Sequence, residues 1–319
     1  MFDSLVVIVL LIVVGVVVLA AIIAALVCAV RIGTLVLKAR RKTRGAERDQ
    51  LWERIYGLDW GCVTTNNYGF APTRESGAER YQLQMYSELF ERLQATGRLR
   101  VHTDLLEVSC GRGGGLAHLV GQWPGSVRAV GLDHAENAVR ACRRVHGHIA
   151  NLSFVRDSAL SLPFADRSFD VVVNVEASND YGDYGAFFGE VHRVLRPGGA
   201  FLYCDTRRAA DVARTTQALR GAGFEAQFSD ITDHVIEACR HDSARRRQLI
   251  RNQVPWPYRV LLRRALANYA AIEGSRKFEK FRSRHRLYLM TCAIRMPAPQ
   301  AARPPRTEER RLVELLASA

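Results

Sequence analysis

The chain has 319 residues, 48% of them hydrophobic and 24% charged, with 45 Lys and Arg against 32 Asp and Glu and a formal net charge of +13. At roughly 150 residues per domain this is one large domain or two small ones. The composition excludes a disordered chain, a collagen, a repeat array and a disulfide-built mini-protein.

Leu5 to Val30 form an unbroken run of 26 uncharged residues, mostly Val, Leu, Ile and Ala. At about 1.5 Å per residue such a helix exceeds the roughly 30 Å hydrocarbon core. The run therefore predicts a single N-terminal transmembrane helix with some tilt. A cleaved signal peptide fits less well, because the leader carries Asp3 and no base and the apolar run is too long. Residues 31–48 hold seven Lys and Arg against Glu47 alone. The positive-inside rule then predicts a membrane protein whose remaining chain lies on the cytoplasmic side, with a basic flank suited to anionic headgroups. The seven cysteines are scattered and include no C-x-x-C pair. They form neither a disulfide framework nor a zinc site, and no metal is expected.

Residues 1–38 are thus read as anchor and basic flank. Residues 39–100 are a charged linker followed by an aromatic-rich N-terminal helical cap. Residues 101–230 are a cofactor-binding core: short β-rich runs at Leu105–Val108, Val127–Leu132, Leu152–Val155, Val171–Val175, Ala200–Cys204 and Phe224–Phe228 alternate with helical stretches at Ala135–Val145, Tyr184–Val194 and Ala209–Arg220. Such alternation predicts an α/β, Rossmann-like sheet with helices on both faces. Residues 231–296 are a basic helical lid and a last strand, Leu287–Ile294, and 297–319 a mobile tail.

The core carries the chemistry. Leu105–Gly115 reads strand, glycine turn, helix start, and glycine is needed where backbone must turn tightly and approach a ligand. Glu107 caps the strand where a ligand's polar groups can reach it. Asp133 ends the second run, 20 residues past Gly113, where a Rossmann-type site grips ribose hydroxyls. Asp157, ending the third run, can accept from an exocyclic amine. A nicotinamide dehydrogenase would want G-x-G-x-x-G, and Leu116 stands at its third glycine.

The series Glu-x-x-Cys-Gly-x-Gly (107–113), Gly-Leu-Asp (131–133), Arg-Asp-Ser-x-x-x-Leu-Pro-Phe (156–164), Ser-Phe-Asp-Val-Val (168–172) and Val-Leu-Arg-Pro-Gly-Gly (194–199) resembles the class I S-adenosylmethionine-dependent methyltransferases. More narrowly, Leu106–Gly115 and Phe154–Arg207 resemble the phthiotriol/phenolphthiotriol dimycocerosate methyltransferases and related lipid O-methyltransferases. A looser likeness runs from about Trp60 to Met296. The resemblance implies an enzyme with S-adenosyl-L-methionine as cofactor. It implies that Glu107, Ser109, Gly111 and Gly113 line the methionine and ribose part, that Asp133 takes the ribose hydroxyls, that His134 lies beside the adenosine, that Asp157 and Ser158 hold the adenine, and that Asn174 lies under the sulfonium. Ser109 stands where many methyltransferases have glycine. Tyr68, in Asn66–Phe70, resembles a segment that closes over the cofactor.

A hydroxyl acceptor needs a base. The family usually has His directly after Glu-Ala-Ser, and this chain has Asn179 there. Asp205 matches an acidic position used in related sugar and lipid methyltransferases and is the first candidate for base or acceptor-orienting group, with Asp180 and Tyr181 next. A carboxylate acceptor would need no strong base, which keeps fatty-acid methyl ester formation open. A catalytically silent, membrane-tethered binding module is the non-enzyme alternative.

Residues 240–286 hold fourteen Lys and Arg against three acids. The predicted anchor favours an anionic leaflet over RNA as their partner. Tyr258–Tyr269 has a basic amphipathic pattern suited to an interfacial lid. The base-methylating Asp/Asn-Pro-Pro-Tyr signature is absent, which argues against a nucleic-acid substrate. The expected acceptor is a lipophilic small molecule.

Overall fold

A computed structural model describes residues 14–20, 46–57, 61–123, 125–254 and 256–296. Residues 14–20 (α1) are helical and exposed. The remainder of the predicted anchor, most of its basic flank and the predicted tail lie outside the described residues. Among those described, no helix is long and apolar enough to cross a membrane.

The elements then run α2 (Ala46–Gly57), α3 (Arg80–Ala95), β1 (His102–Val108), α4 (Gly114–Gln122), β2 (Ser126–Asp133), α5 (Glu136–His146), β3 (Leu152–Arg156), β4 (Phe169–Val175), α6 (Tyr184–Val194), β5 (Leu195–Arg208), α7 (Val212–Gly221), β6 (Phe224–Glu225), β7 (Ser229–Asp230), α8 (Thr232–Gln253), α9 (Trp256–Leu261), α10 (Arg263–Tyr269), α11 (Arg276–Arg282) and β8 (Arg286–Arg295). One sheet has the order β3-β2-β1-β4-β5-β8-β6, with β7 also on β8. Strands β1 to β5 are parallel and β8 is antiparallel to β5.

Burial follows from this order. Every residue of β4 is buried, as expected for a central strand covered on both faces. One apolar core packs α3, α4, α5, α8 and α11 on one face, with Met85, Leu89, Leu116, Val139 and Phe281 among its members. The other packs α6 and α7 through Phe187, Phe188, Val191 and Leu219. Helix α6 begins where the Asp183 carboxylate accepts from the Ala186 N–H at 3.0 Å, an N-cap that the sequence supplies locally.

Two expected strands change length. The run expected at Ala200–Cys204 belongs to a strand that starts at Leu195, with Arg196–Gly199 inside it as a bulge: between Phe169↔Leu195 and Val171↔Ala200, β4 advances two residues and β5 five. Gly198, at φ +75°, makes the bend possible. The Arg196 guanidinium closes it by bridging Asp104 and Asp170, at 2.8 and 2.6 Å. The run Phe224–Phe228 is a strand only over Phe224–Glu225. Ala226 and Phe228 turn into the α6/α7 core, and pairing with β8 resumes at Ser229.

The helical lid is tied to the N-terminal cap by buried charge. Asp242 of α8 accepts from Arg245, Arg246 and, across to α3, Gln82. Arg246 then donates to the main-chain oxygens of Tyr68 (2.7 Å) and Ala270 (2.6 Å). Paired guanidinium and carboxylate offset each other's loss of water; either alone would be costly.

Candidate active site

The site lies at the C-terminal ends of β1, β2, β4 and β5, the end where parallel α/β sheets place ligands. Ser109 follows β1 at φ +59°, a left-handed conformation that explains why glycine serves there in many relatives of the fold. Gly113, at φ +77°, starts α4. A Cβ on Gly115 would sit 1.9 Å from the Tyr86 ring, so its hydrogen lets Tyr86 lie across the start of α4.

Tyr86 uses that position to donate to Glu107 Oε1 at 2.8 Å. Glu107 is 1% exposed, and its Oε2 is buried without a partner. Burial pushes this carboxyl up to about 8, against the lowering effect of the Tyr86 hydrogen bond. A buried carboxylate with a bare oxygen is a receptor for a cation or for donors of a ligand. Asp133 is equally buried but engaged. Its Oδ2 accepts from Gly111 N–H at 2.9 Å and its Oδ1 from Ala135 N–H at 3.0 Å, which fixes the glycine turn to the end of β2. His134 Nδ1 lies 3.5 Å from Asp133 Oδ1. Asp157 and Ser158 sit beyond β3, where Asp157 Oδ1 accepts from Ser158 N–H at 2.7 Å.

Asn174 of β4 donates through Nδ2 to the Val108 carbonyl at 2.9 Å and to the Tyr181 hydroxyl at 3.1 Å, while its buried Oδ1 has no partner. Tyr181 OH also meets Ser109 Oγ at 2.6 Å. Burial raises the Tyr181 phenol far above its ordinary value, so it stays a neutral donor. Tyr181 therefore stands with the expected cofactor residues, as a group that orients Ser109 and Asn174.

Asp205 is 0% exposed. Its Oδ2 accepts from Ser178 Oγ (2.7 Å) and Asn179 N–H (2.8 Å), and its Oδ1 from Asn179 Nδ2 (3.0 Å) and Thr206 N–H (2.7 Å). The Arg207 guanidinium adds an ion pair at 3.2 Å. A carboxylate with four hydrogen bonds and an ion pair has no lone pair left for a substrate proton. The arrangement makes Asp205 the brace of the Ser178–Asp180 turn. Asp180 accepts from Trp52 Nε1 at 3.2 Å, which ties that turn to α2.

The Tyr68 side chain reaches the helices near the C-terminus. Its hydroxyl accepts from Lys277 Nζ at 2.7 Å and donates to the Tyr269 carbonyl at 3.2 Å, so it joins the core to α10 and α11. Nearer the cofactor end is Tyr56 of α2, whose hydroxyl would be 2.8 Å from a Cβ on Gly111. Tyr56, Tyr86 and Trp52 were not singled out from the sequence. They lie on helices whose pattern signals only a buried face. Among the described residues no group of His, Cys, Asp and Glu could hold a metal ion.

The residues present fit S-adenosylmethionine. The bare oxygens of Glu107 and Asn174 suit its cationic amino and sulfonium groups, and the Gly111–Gly113 turn exposes backbone beside Asp133 for the ribose.

A methyltransferase domain family matches residues 105–199. Over 174 residues the chain is 39% identical to "Probable phthiotriol/phenolphthiotriol dimycocerosates methyltransferase 2" of Mycobacterium ulcerans, covering 54% of this chain and 64% of that one. It is 36% identical over 168 residues to a fatty-acid O-methyltransferase of Mycolicibacterium smegmatis, covering 53% and 59%. It is 36% identical over 255 residues to a phthiotriol/phenolphthiotriol dimycocerosates methyltransferase of Mycobacterium tuberculosis, covering 78% and 88%. The chain thus spans less than two thirds of the first two relatives and most of the third. Among solved structures, the 4+2 cyclase SpnF superposes with a TM-score of 0.63 at 17% identity, covering 80% of this chain and 97% of that one. Geranyl diphosphate C-methyltransferase from Streptomyces coelicolor A3(2) superposes at 0.57 and 13%, covering 80% and 100%. These two likenesses show the fold alone. Core, site geometry and relatives agree, and the chain belongs to the S-adenosylmethionine-dependent methyltransferases, in the family of the phthiotriol/phenolphthiotriol dimycocerosates methyltransferases.

Proposed function

We propose that the chain methylates a hydroxyl oxygen of a lipophilic acceptor at a membrane surface. The observation that carries this reading is the extent of the likeness to the M. tuberculosis relative. At 255 residues it is too long for the matched core of 105–199 alone and must take in the helical elements around it, where an acceptor would lie. That relative's name places its substrate among lipids, and the M. smegmatis relative's name places its own there too.

S-adenosylmethionine, when bound, supplies an activated methyl group. The chain's own work is to bind, orient and exclude water. Glu107 and Asn174 would hold the cationic end, Asp133 the ribose, and Asp157 with Ser158 the adenine. Helix α2 would cover the cofactor, since Glu53 binds the start of α5 through Asn137 N–H at 3.1 Å while Trp52 reaches Asp180. The helical lid supplies an apolar approach. On α9, Trp256 and Val260 are 69% and 61% exposed and lie one turn apart, beside the exposed Arg263 and Arg264. That combination suits the headgroup boundary of an anionic bilayer. The predicted N-terminal anchor would hold this face against the membrane with the domain on the cytoplasmic side.

Asn179 supports a second reading, carboxyl methylation of a fatty acid, because a carboxylate acceptor brings no proton to remove. Methyl-tritiated S-adenosylmethionine incubated with the enzyme and a total lipid extract separates the two. Base-stable label in lipid is the expected result. Label wholly released by mild base would replace the hydroxyl acceptor with a carboxylate, and no lipid label with cofactor binding intact would remove both.

A further inference from the structure

Glu176, directly after β4, adopts φ +52°, an uncommon conformation for a residue with a side chain and one that clusters at functional sites. Its Oε1 accepts from both the Tyr68 N–H and the Tyr288 hydroxyl. Its Oε2 accepts no hydrogen bond among the described residues. The contrast with Asp205 is direct: one carboxylate of the acceptor end has every lone pair taken, and the other is held rigidly by one oxygen with the second open.

The position is also right for transfer. Glu176 comes two residues after Asn174, which is expected under the sulfonium, and it lies within electrostatic reach of Tyr86, the phenol that holds Glu107. On its other side stand Tyr68 and the cap. Glu176 therefore sits where the cofactor end meets the acceptor end.

We propose that Glu176 Oε2 is the base that removes the acceptor hydroxyl's proton, in place of the histidine that this chain lacks at Asn179. The inference rests on the hydroxyl reading above. The acceptor's O–H bond breaks and an Oε2–H bond forms. The electron pair stays on the acceptor oxygen, which makes the new bond to the methyl carbon. The old carbon–sulfur bond leaves its pair on sulfur. The proton on Glu176 passes to water when product leaves.

The surroundings suit this work. Burial pushes the Glu176 carboxyl up to about 7, opposed by the hydrogen bonds from Tyr288 and Tyr68 and by the Lys277 ammonium, and assisted by the Asp205 charge. The other titratable groups facing it are Tyr86 of α3, Cys204 of β5, Cys239 of α8 and Tyr269 of α10. Burial raises each of those four above its ordinary value, so all are neutral near pH 7. A base with a value near neutrality is both ionised and proton-accepting at working pH.

The test compares wild type with Glu176→Gln, which keeps Oε1 for Tyr68 and Tyr288. The cofactor is saturating, and hexadecanol and hexadecanoic acid in mixed phospholipid vesicles are the probes. Unchanged cofactor affinity and melting temperature establish that the variant is folded. Base-stable label in hexadecanol should fall by about 100-fold or more. The wild-type rate should decline as pH drops below about 7. Infrared titration of the cofactor-free protein should show a carboxyl band that fades through the same range and is missing in the variant. Equal hexadecanol labelling by both proteins, or an unchanged infrared band, overturns the base assignment while leaving the hydroxyl reading in place. Label confined to hexadecanoic acid in wild type overturns both.

Discussion

The two ends of the site are built on one plan. At the cofactor end Asp133 is engaged by two backbone N–H groups, while Glu107 has one partner and a bare oxygen. At the acceptor end Asp205 accepts four hydrogen bonds and an ion pair, while Glu176 has one oxygen held and the other open. In each pair one carboxylate holds the turn beside it, Asp133 with a lone pair on each oxygen still free for the ribose, and the other keeps a bare oxygen for a ligand. Position at a strand end does not separate the two roles; the count of donors does.

This comparison breaks most visibly at Asp205. Asp205→Ala leaves Arg207 buried without its anion, and breaking such a pair costs about 3–5 kcal/mol. Thermal unfolding should fall accordingly, and cofactor affinity in the surviving folded protein should drop only by the few-fold that loosening the Ser178–Asp180 turn under α2 implies. Asp205→Asn, which can keep part of the network, should retain the wild-type pH profile of the rate. A lost acid limb in Asp205→Asn would return the base role to Asp205 and collapse the distinction.

Gly115→Ala tests the support of the open carboxylate. The added Cβ drives into Tyr86, and overpacking of this kind costs on the order of 3 kcal/mol. Calorimetry should show a melting temperature lower by roughly 10 °C, together with weaker cofactor binding because Tyr86 is displaced from Glu107.

The cofactor end itself answers to titration calorimetry. Glu107→Ala and Asp133→Ala should each weaken S-adenosylmethionine binding by about 10- to 100-fold, as loss of a charged hydrogen bond implies. Unchanged binding in both would remove the site assignment. The pH dependence has a definite sign. Glu107 is held neutral until about pH 8 by burial, and a cationic ligand prefers it ionised. Affinity should therefore rise, with proton release, as pH increases from about 6.5 towards 8, and Glu107→Gln should flatten the curve. The same group works against the empty fold: its folded value exceeds the unfolded one, so its contribution to stability is full at low pH and is lost as pH climbs towards 8.

The smallest effect is at α2. Trp52→Phe removes one hydrogen bond to Asp180, worth about 0.5–1.5 kcal/mol. Stopped-flow measurements should show cofactor leaving a few times faster.

Much of the cofactor end was legible in the sequence because its residues are adjacent along the chain. The turn from Glu107 to Gly115 and the acid at Asp133 each sit at a strand end that hydrophobic runs locate. Tyr86 was not legible, since its link to Glu107 spans 21 residues and depends on a glycine having no side chain. The acceptor end was harder. Asp205 looked like a base by position, and only the convergence of Ser178, Asn179, Thr206 and Arg207 shows that it is spent on structure. Glu176 stood in a motif noted for its likeness to a family, yet its open oxygen depends on Tyr68 and Tyr288, 108 residues before it and 112 after it.

The hydrogen bond from Trp52 to Asp180 has a kinetic consequence. Helix α2 rests on α5 and on the Gly111 turn on one side and on the turn after β4 on the other, so it cannot swing away from spent cofactor without also freeing the Ser178–Asp180 turn. Cofactor exchange and release of the methylated product would then share one opening event. Loosening that latch in Trp52→Phe should therefore speed the departure of both products together.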